Sequence, residues 1–243
     1  MIDEETQEES LDNSISYRNQ KIFFVGGSDP GKTSIINRII NGSWLETYEI
    51  TIGIDYMDKI IKFRGQNIKF QLWDSSGQEK YKGLIPSYIR DSSIVFIVYD
   101  VSQRNDFENI KTWISFIKNF EVKIVVLVGN KIDLKFREVE TKEGEELAKK
   151  EGLLFFECSA KTNENIMNMF YSSLARLPIF EINNESERNN IVRELIEENE
   201  LGDFKEDKGN QDLIIRKEGK ISRDGEFPRK KKNVVNVKSF NIN

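Results

Sequence analysis

Between Tyr17 and Pro178 the chain alternates two kinds of apolar pattern. KIFFVG from Lys21, IVFIVYD from Ile94, KIVVLVGN from Lys123 and LLFFECSA from Leu153 are near-continuous apolar runs. Runs of that kind predict strands buried on both faces, as in a parallel sheet. KIIKF from Lys59 and IKFQLWD from Ile68 alternate more, and RGQN between them predicts a tight turn. They therefore read as a hairpin that adds an antiparallel edge strand. Helices are predicted at 32–41, 105–119, 141–151 and 163–176, each laying Ile, Phe, Leu or Met along one face. The implied fold is α/β: a six-stranded, mostly parallel, doubly wound sheet with helices on both faces. No internal repeat is visible.

With 243 residues, 38% of them hydrophobic, the chain can bury a full core and leave a surplus. Charge locates the surplus. Residues 1–16 hold six acids and no base, and are expected to be a disordered acidic arm. Residues 17–178 are close to neutral and form the predicted domain. Residues 179–243 are expected to be a mostly disordered tail, acidic at first and basic at the end, with a short helix over 185–199 and a basic patch, RKKK, at 229–232. The single cysteine, Cys158, excludes an intramolecular disulfide and fits a reducing compartment. No apolar run reaches the ~18 residues of a membrane helix, and the acidic start is unlike a signal peptide. A cytoplasmic monomer with no nucleic-acid partner is the expectation.

Chemistry enters at the ends of the predicted strands. GGSDPGKT from Gly26 satisfies the phosphate-cradling pattern G-x-x-x-x-G-K-[ST], with Gly26, Gly31, Lys32 and Thr33 in the fixed places. KIFFVG before it and TSIINRII after it supply the strand and the helix that the motif requires. Backbone N–H groups from Gly26 to Thr33 are expected to form a nest at a helix start, and Lys32 adds a positive charge against the outer phosphates. The Thr33 hydroxyl is a candidate ligand for Mg2+, and Asp74, ending a strand in WDSSGQE, a candidate for the same ion. NKID from Asn130 offers Asp133, whose carboxylate can accept from the ring N–H and exocyclic amine of guanine but finds no such donor pair on adenine. Each residue also has an ordinary reading: Asp74 as a strand-end turn residue, Thr51 as a strand residue, NKID as a turn.

In this order, GGSDPGKT, WDSSGQE, NKID and SAK from Ser159 make the stretch from about 20 to 178 resemble a Ras-like small GTPase, a P-loop NTPase G domain. Within that superfamily it looks like a Rab. TIGIDY from Thr51, FQLWD from Phe70 and GLIPSYIRDSS from Gly83 are closer to the Golgi-associated Rab subgroup than to Ras, Rho or Arf proteins. The resemblance implies binding of GTP and GDP with Mg2+ and slow hydrolysis, with Lys32, Gly77 and Gln78 as the catalytic set and Gln78 orienting the water. It assigns nucleotide contacts to Ser28, Asp29, Pro30, Gly31, Lys32, Thr33, Ser34, Trp44, Tyr48, Thr51, Gly77, Asn130, Lys131, Asp133, Ser159, Ala160 and Lys161, and the metal to Thr33, Thr51 and Asp74. The alternative reading for Trp44 and for Tyr48 is ordinary loop packing. An exchange factor, a GTPase-activating protein and effectors are the implied partners, the effectors meeting Ile52, Gly53, Ile54, Tyr56, Trp73, Tyr81 and Tyr88. Vesicle transport at Golgi or endosomal membranes is the implied setting.

The chain departs from that pattern in ways that bear on function. Pro30 removes a backbone donor from the nest, and Asp29 brings a carboxylate toward a polyphosphate, a pair expected to weaken nucleotide affinity or speed exchange. Ser75 and Ser76 stand where Thr-Ala is usual in the family. The chain finishes SFNIN, so no prenylation site is expected, and Ile2 stands where myristoylation needs glycine. The basic tail could instead meet anionic lipid, or be a solvated charge run. A cycling switch and a non-cycling GTP-binding scaffold both remain open. An ATPase or nucleotide kinase leaves NKID and SAK without a role.

Overall fold

The structure, a computed structural model, describes residues 20–44, 51, 53–77, 83–180, 182 and 184–201. Six strands, β1 (Gln20–Gly26), β2 (Ile54–Phe63), β3 (Gln66–Ser75), β4 (Ile94–Asp100), β5 (Ile124–Asn130) and β6 (Leu154–Glu157), form one sheet in the order β2-β3-β1-β4-β5-β6. Only β2 and β3 pair antiparallel; the other four pairings are parallel. The hairpin turn is Arg64-Gly65, with both residues at positive φ (49° and 75°), the twist that a two-residue hairpin loop favours.

The central strands are apolar throughout because both faces are covered. In β1, Ile22 and Phe24 point to one side and Phe23 and Val25 to the other, all fully buried. The first side packs on α1 (Lys32–Asn41), through Ile35, Ile36 and Ile39, and on α6 (Ile166–Leu174), through Ile166, Met169 and Phe170. The second packs on α2 (Ile85–Ile89), α4 (Ile110–Ile117) and α5 (Thr141–Glu151), through Ile85, Trp113, Ile114 and Leu147. This is the doubly wound α/β sheet expected from the sequence, and its ligand face is the set of loops at the carboxyl ends of the strands.

Details differ from the sequence pattern. The expected helix at 105–119 is two helices, α3 (Arg104–Glu108) and α4, joined at Asn109. Helix α6 starts at Ile166 rather than 163, because Asn163 and Asn165 both take left-handed backbone. Strand β2 begins at Ile54, five residues ahead of KIIKF.

Beyond Pro178, where a mostly disordered tail with a short helix over 185–199 was expected, the described residues contain such a helix and continue to Leu201. A 3-10 turn (Pro178–Phe180) leads to α7 (Glu185–Ile196), capped by Asn184 accepting from the Glu187 N–H at 2.9 Å, and to a π turn (Glu197–Leu201). Ile191, Val192 and Leu195 are buried in the same core cluster as Phe63 and Phe180. Asn199 then caps the open edge of β2: its amide accepts from the Lys62 N–H and donates to the Lys62 carbonyl, each at 2.8 Å. Arg64 in the hairpin turn forms a two-pronged pair with Glu194. Leu195→Ala is therefore expected to cost about 2–5 kcal/mol of stability in urea unfolding. A loss below about 1 kcal/mol would mean that the α7 side chains contribute little to the core.

Candidate functional site

Strand β1 delivers the chain to GGSDPGKT, and α1 begins at its end with Gly31 as N-cap and no side-chain cap. A helix start without its own cap has backbone N–H groups free for an anion. Lys32, on the first turn, is only 5% exposed, and its ammonium donates to the Gly27 carbonyl at 2.6 Å. Burial pulls the Lys32 pKa down from the usual lysine value, and the charges of Asp74, Asp106 and Asp29 pull the other way. A buried ammonium held by one carbonyl is a cation short of a full anionic partner.

Beside it, three oxygens converge from three segments. The Thr33 hydroxyl donates to Asp74 Oδ2 at 2.5 Å and lies 2.8 Å from the Thr51 hydroxyl, which is 3.1 Å from the same carboxylate oxygen. Asp74 is 2% exposed, its pKa is raised chiefly by burial, and its Oδ1 is buried with no hydrogen-bond partner. Two hydroxyls and a buried carboxylate with an unused oxygen form a hard oxygen donor set that fits Mg2+. Among the described residues no group of three His, Cys, Asp or Glu could hold a metal. The remaining ligands would be phosphate and water oxygens, which suits an ion that is seldom caged by protein alone.

Gly77 packs on the phosphate loop. A Cβ there would lie 2.0 Å from the Gly27 carbonyl oxygen, so only glycine lets these two loops touch. The Ser28 hydroxyl donates across the same contact to the Gly77 carbonyl at 3.1 Å. Ser34 lies on the first turn of α1, half-buried. Gln78, Tyr48, Ile52 and Tyr81 lie outside the described residues.

At the other end, Asn130 joins three loops. Its amide donates to the Pro30 carbonyl at 2.8 Å and its oxygen accepts from the Ala160 N–H at 3.1 Å, while the side chain is 1% exposed. Asp133 accepts from the Ser159 hydroxyl at 2.6 Å, and that hydroxyl accepts from the Thr162 N–H at 3.0 Å. Lys131, at φ 71°, pairs with Asp100 at 2.8 Å and reaches Asp29 at 3.7 Å. Trp44 is 38% exposed.

Two residues at the site escaped the sequence reading. Arg38 on α1 donates to the carbonyls of Ala160 and Lys161, both at 2.7 Å, and so ties the phosphate-loop helix to the SAK loop. Its spacing from GKT gives a local helical position, but a contact across 122 residues has no sequence signature. Asp106, in α3, lies against Gly27.

A negatively charged ligand with a metal at one end and hydrogen-bond donors at the other would find a partner for each part: the oxygens of Thr33, Thr51 and Asp74 for the metal, Lys32 and the helix start for the anion, and the carboxylate of Asp133 for the donors. Against models of known protein families, residues 21–178 match the one described as the Ras family.

Proposed function

Because the chain belongs to the Ras family, a family of small GTPase switches, we propose that it binds and slowly hydrolyses GTP as a Rab-like switch in vesicle transport. The observation that carries the nucleotide reading is the convergence of Thr33, Thr51 and Asp74 beside the buried ammonium of Lys32. Lys32 then holds the outer phosphates, and the N–H groups at the start of α1 hold the inner ones. Thr33, Thr51 and Asp74 hold Mg2+, which neutralises charge on the outer phosphates. Asp133, oriented by Ser159, reads the guanine edge.

Thr51 and Gly77 respond to the terminal phosphate, so its loss releases both segments and changes the surface offered to partners. Support for the Rab reading comes from TIGIDY, FQLWD and GLIPSYIRDSS and from the rings they bring together. Tyr56 stacks on Trp73 at 4.8 Å and Trp73 meets Tyr88 at a tilt, 5.5 Å between ring centres, with Tyr56 47% exposed. A partly exposed aromatic row running from the hairpin to α2 is a surface suited to a protein effector. Among the described residues no helix is long and apolar enough to cross a membrane.

The test is the nucleotide content of the purified protein, followed by single-turnover hydrolysis of bound GTP in wild type and Gln78→Leu. Bound guanine nucleotide and a hydrolysis rate that falls about tenfold or more in the variant are expected, since Gln78 orients the water. Hydrolysis indifferent to Gln78 would favour the non-cycling scaffold instead.

A further inference from the structure

The phosphate loop has a carboxylate packed behind it that no motif announces. Asp106 is the third residue of α3, and its Oδ2 accepts from the Asp100 N–H at 2.9 Å, which fixes the side chain toward the carboxyl end of the sheet. A Cβ placed on Gly27 would lie 2.2 Å from Asp106 Oδ1, so the carboxylate rests directly on the loop backbone. What anchors it is a backbone N–H, not a cation. Of the other acids near the loop, Asp100 and Asp29 share Lys131, and Asp74 accepts from the hydroxyls of Thr33 and Thr51. Resting on the GTPase reading above, we infer that Asp106 sets the rate of nucleotide release: its negative charge opposes the polyphosphate through the loop and competes for the field of Lys32.

Asp106 and Lys32 feel one another's charge; burial raises the Asp106 pKa and so disfavours its ionised form, while the Asp100 N–H and the Lys32 charge favour it. Charges separated by one layer of backbone, out of water, are weakly screened. A nucleotide with more phosphates meets more of this repulsion, and one with fewer meets less. Lys32 is the single positive side chain the phosphate loop itself supplies, so a fixed negative charge behind Gly27 offsets part of its attraction. The device favours fast exchange rather than tight storage.

The experiment is the dissociation of fluorescent GDP from the full chain with Mg2+, comparing wild type with Asp106→Asn. The amide keeps an acceptor for the Asp100 N–H and removes the charge. Release is expected to slow about tenfold, with the difference shrinking as salt rises. For fluorescent GMP the same substitution should change release far less, whereas a purely structural role would alter both nucleotides alike. Equal or faster GDP release in the variant, or an equal effect on GMP, overturns the inference. Asp106→Ser, with thermal melting as the check on folding, gives the same comparison if the amide variant folds poorly. A wild-type chain that retains no guanine nucleotide overturns the GTPase reading and this inference together; retained nucleotide with matching rates overturns this inference alone.

Discussion

Lys32→Met is expected to lower guanine-nucleotide affinity by about a hundredfold or more, with little change in melting temperature. A hydrogen bond to a charged group contributes about 1.5–3 kcal/mol in an ordinary setting, and a phosphate dianion in a dry loop lies at the upper end of that range or above it. The ammonium is 95% removed from solvent and, among the described residues, donates to the Gly27 carbonyl rather than to a carboxylate, so its charge is available to an incoming phosphate. Met preserves the length and apolar stem of the side chain, and so avoids a cavity. The loss has a second part: Asp74, Asp106 and Asp29 all lean on the Lys32 charge, and removing it leaves their repulsion of the phosphates unopposed. Equilibrium binding of a fluorescent guanine nucleotide reads the effect, and an affinity within threefold of wild type would show that Lys32 does not face the phosphates.

The parts of this molecule visible in the sequence are those in which a local pattern and a global requirement coincide. Strand β4 can be read from IVFIVYD alone because every residue in it is buried and both faces are covered. GGSDPGKT could be placed before any coordinates because the loop needs a strand before it and a helix after it, and both were legible as apolar periodicity. The helix break at Asn109 was not legible: FENIKTWI has one continuous apolar stripe, and what interrupts it is a backbone choice of tenths of a kcal/mol per residue.

Long-range contacts were the other blind spot. Helix α7 has a weak stripe of its own, and its docking depends on Phe63 and Phe180 waiting on the sheet and on Asn199 finding a bare edge at Lys62. The helix over 185–199 was legible within an acid-rich segment, while the three side chains it buries, Ile191, Val192 and Leu195, are fixed by partners on the sheet. Asp106 and Arg38 belong to the same class. Each meets a loop residue distant in sequence, Asp106 at Gly27 and Arg38 at Ala160 and Lys161, so only the fold reveals that an ordinary helix residue lies against these loops.

The largest change in specificity is expected from Asp133→Asn, which should convert a guanine reader into a xanthine reader. A carboxylate offers two acceptors, and guanine presents two donors, the ring N–H and the exocyclic amine. An amide offers one acceptor and one donor, so one guanine donor loses its partner and meets an N–H instead. Xanthine carries a carbonyl where guanine carries the amine, and that carbonyl accepts from the new amide donor. Ser159 keeps the geometry: its hydroxyl donates to Asp133 Oδ1 at 2.6 Å, a bond the amide oxygen can also accept, which leaves the amide nitrogen turned toward the base edge. Sites built around such donor–acceptor pairs discriminate by about 10⁴–10⁵ when one partner is missing, because the buried groups then have no water to turn to. A fall of about 10³-fold or more in affinity for GDP, with a gain for the xanthine counterpart, is the outcome expected when wild type and Asp133→Asn are compared in a competition assay. Retained preference for guanine would mean that Asp133 does not touch the base. A loss of affinity for both bases would point to Ser159 and the SAK loop having moved with it.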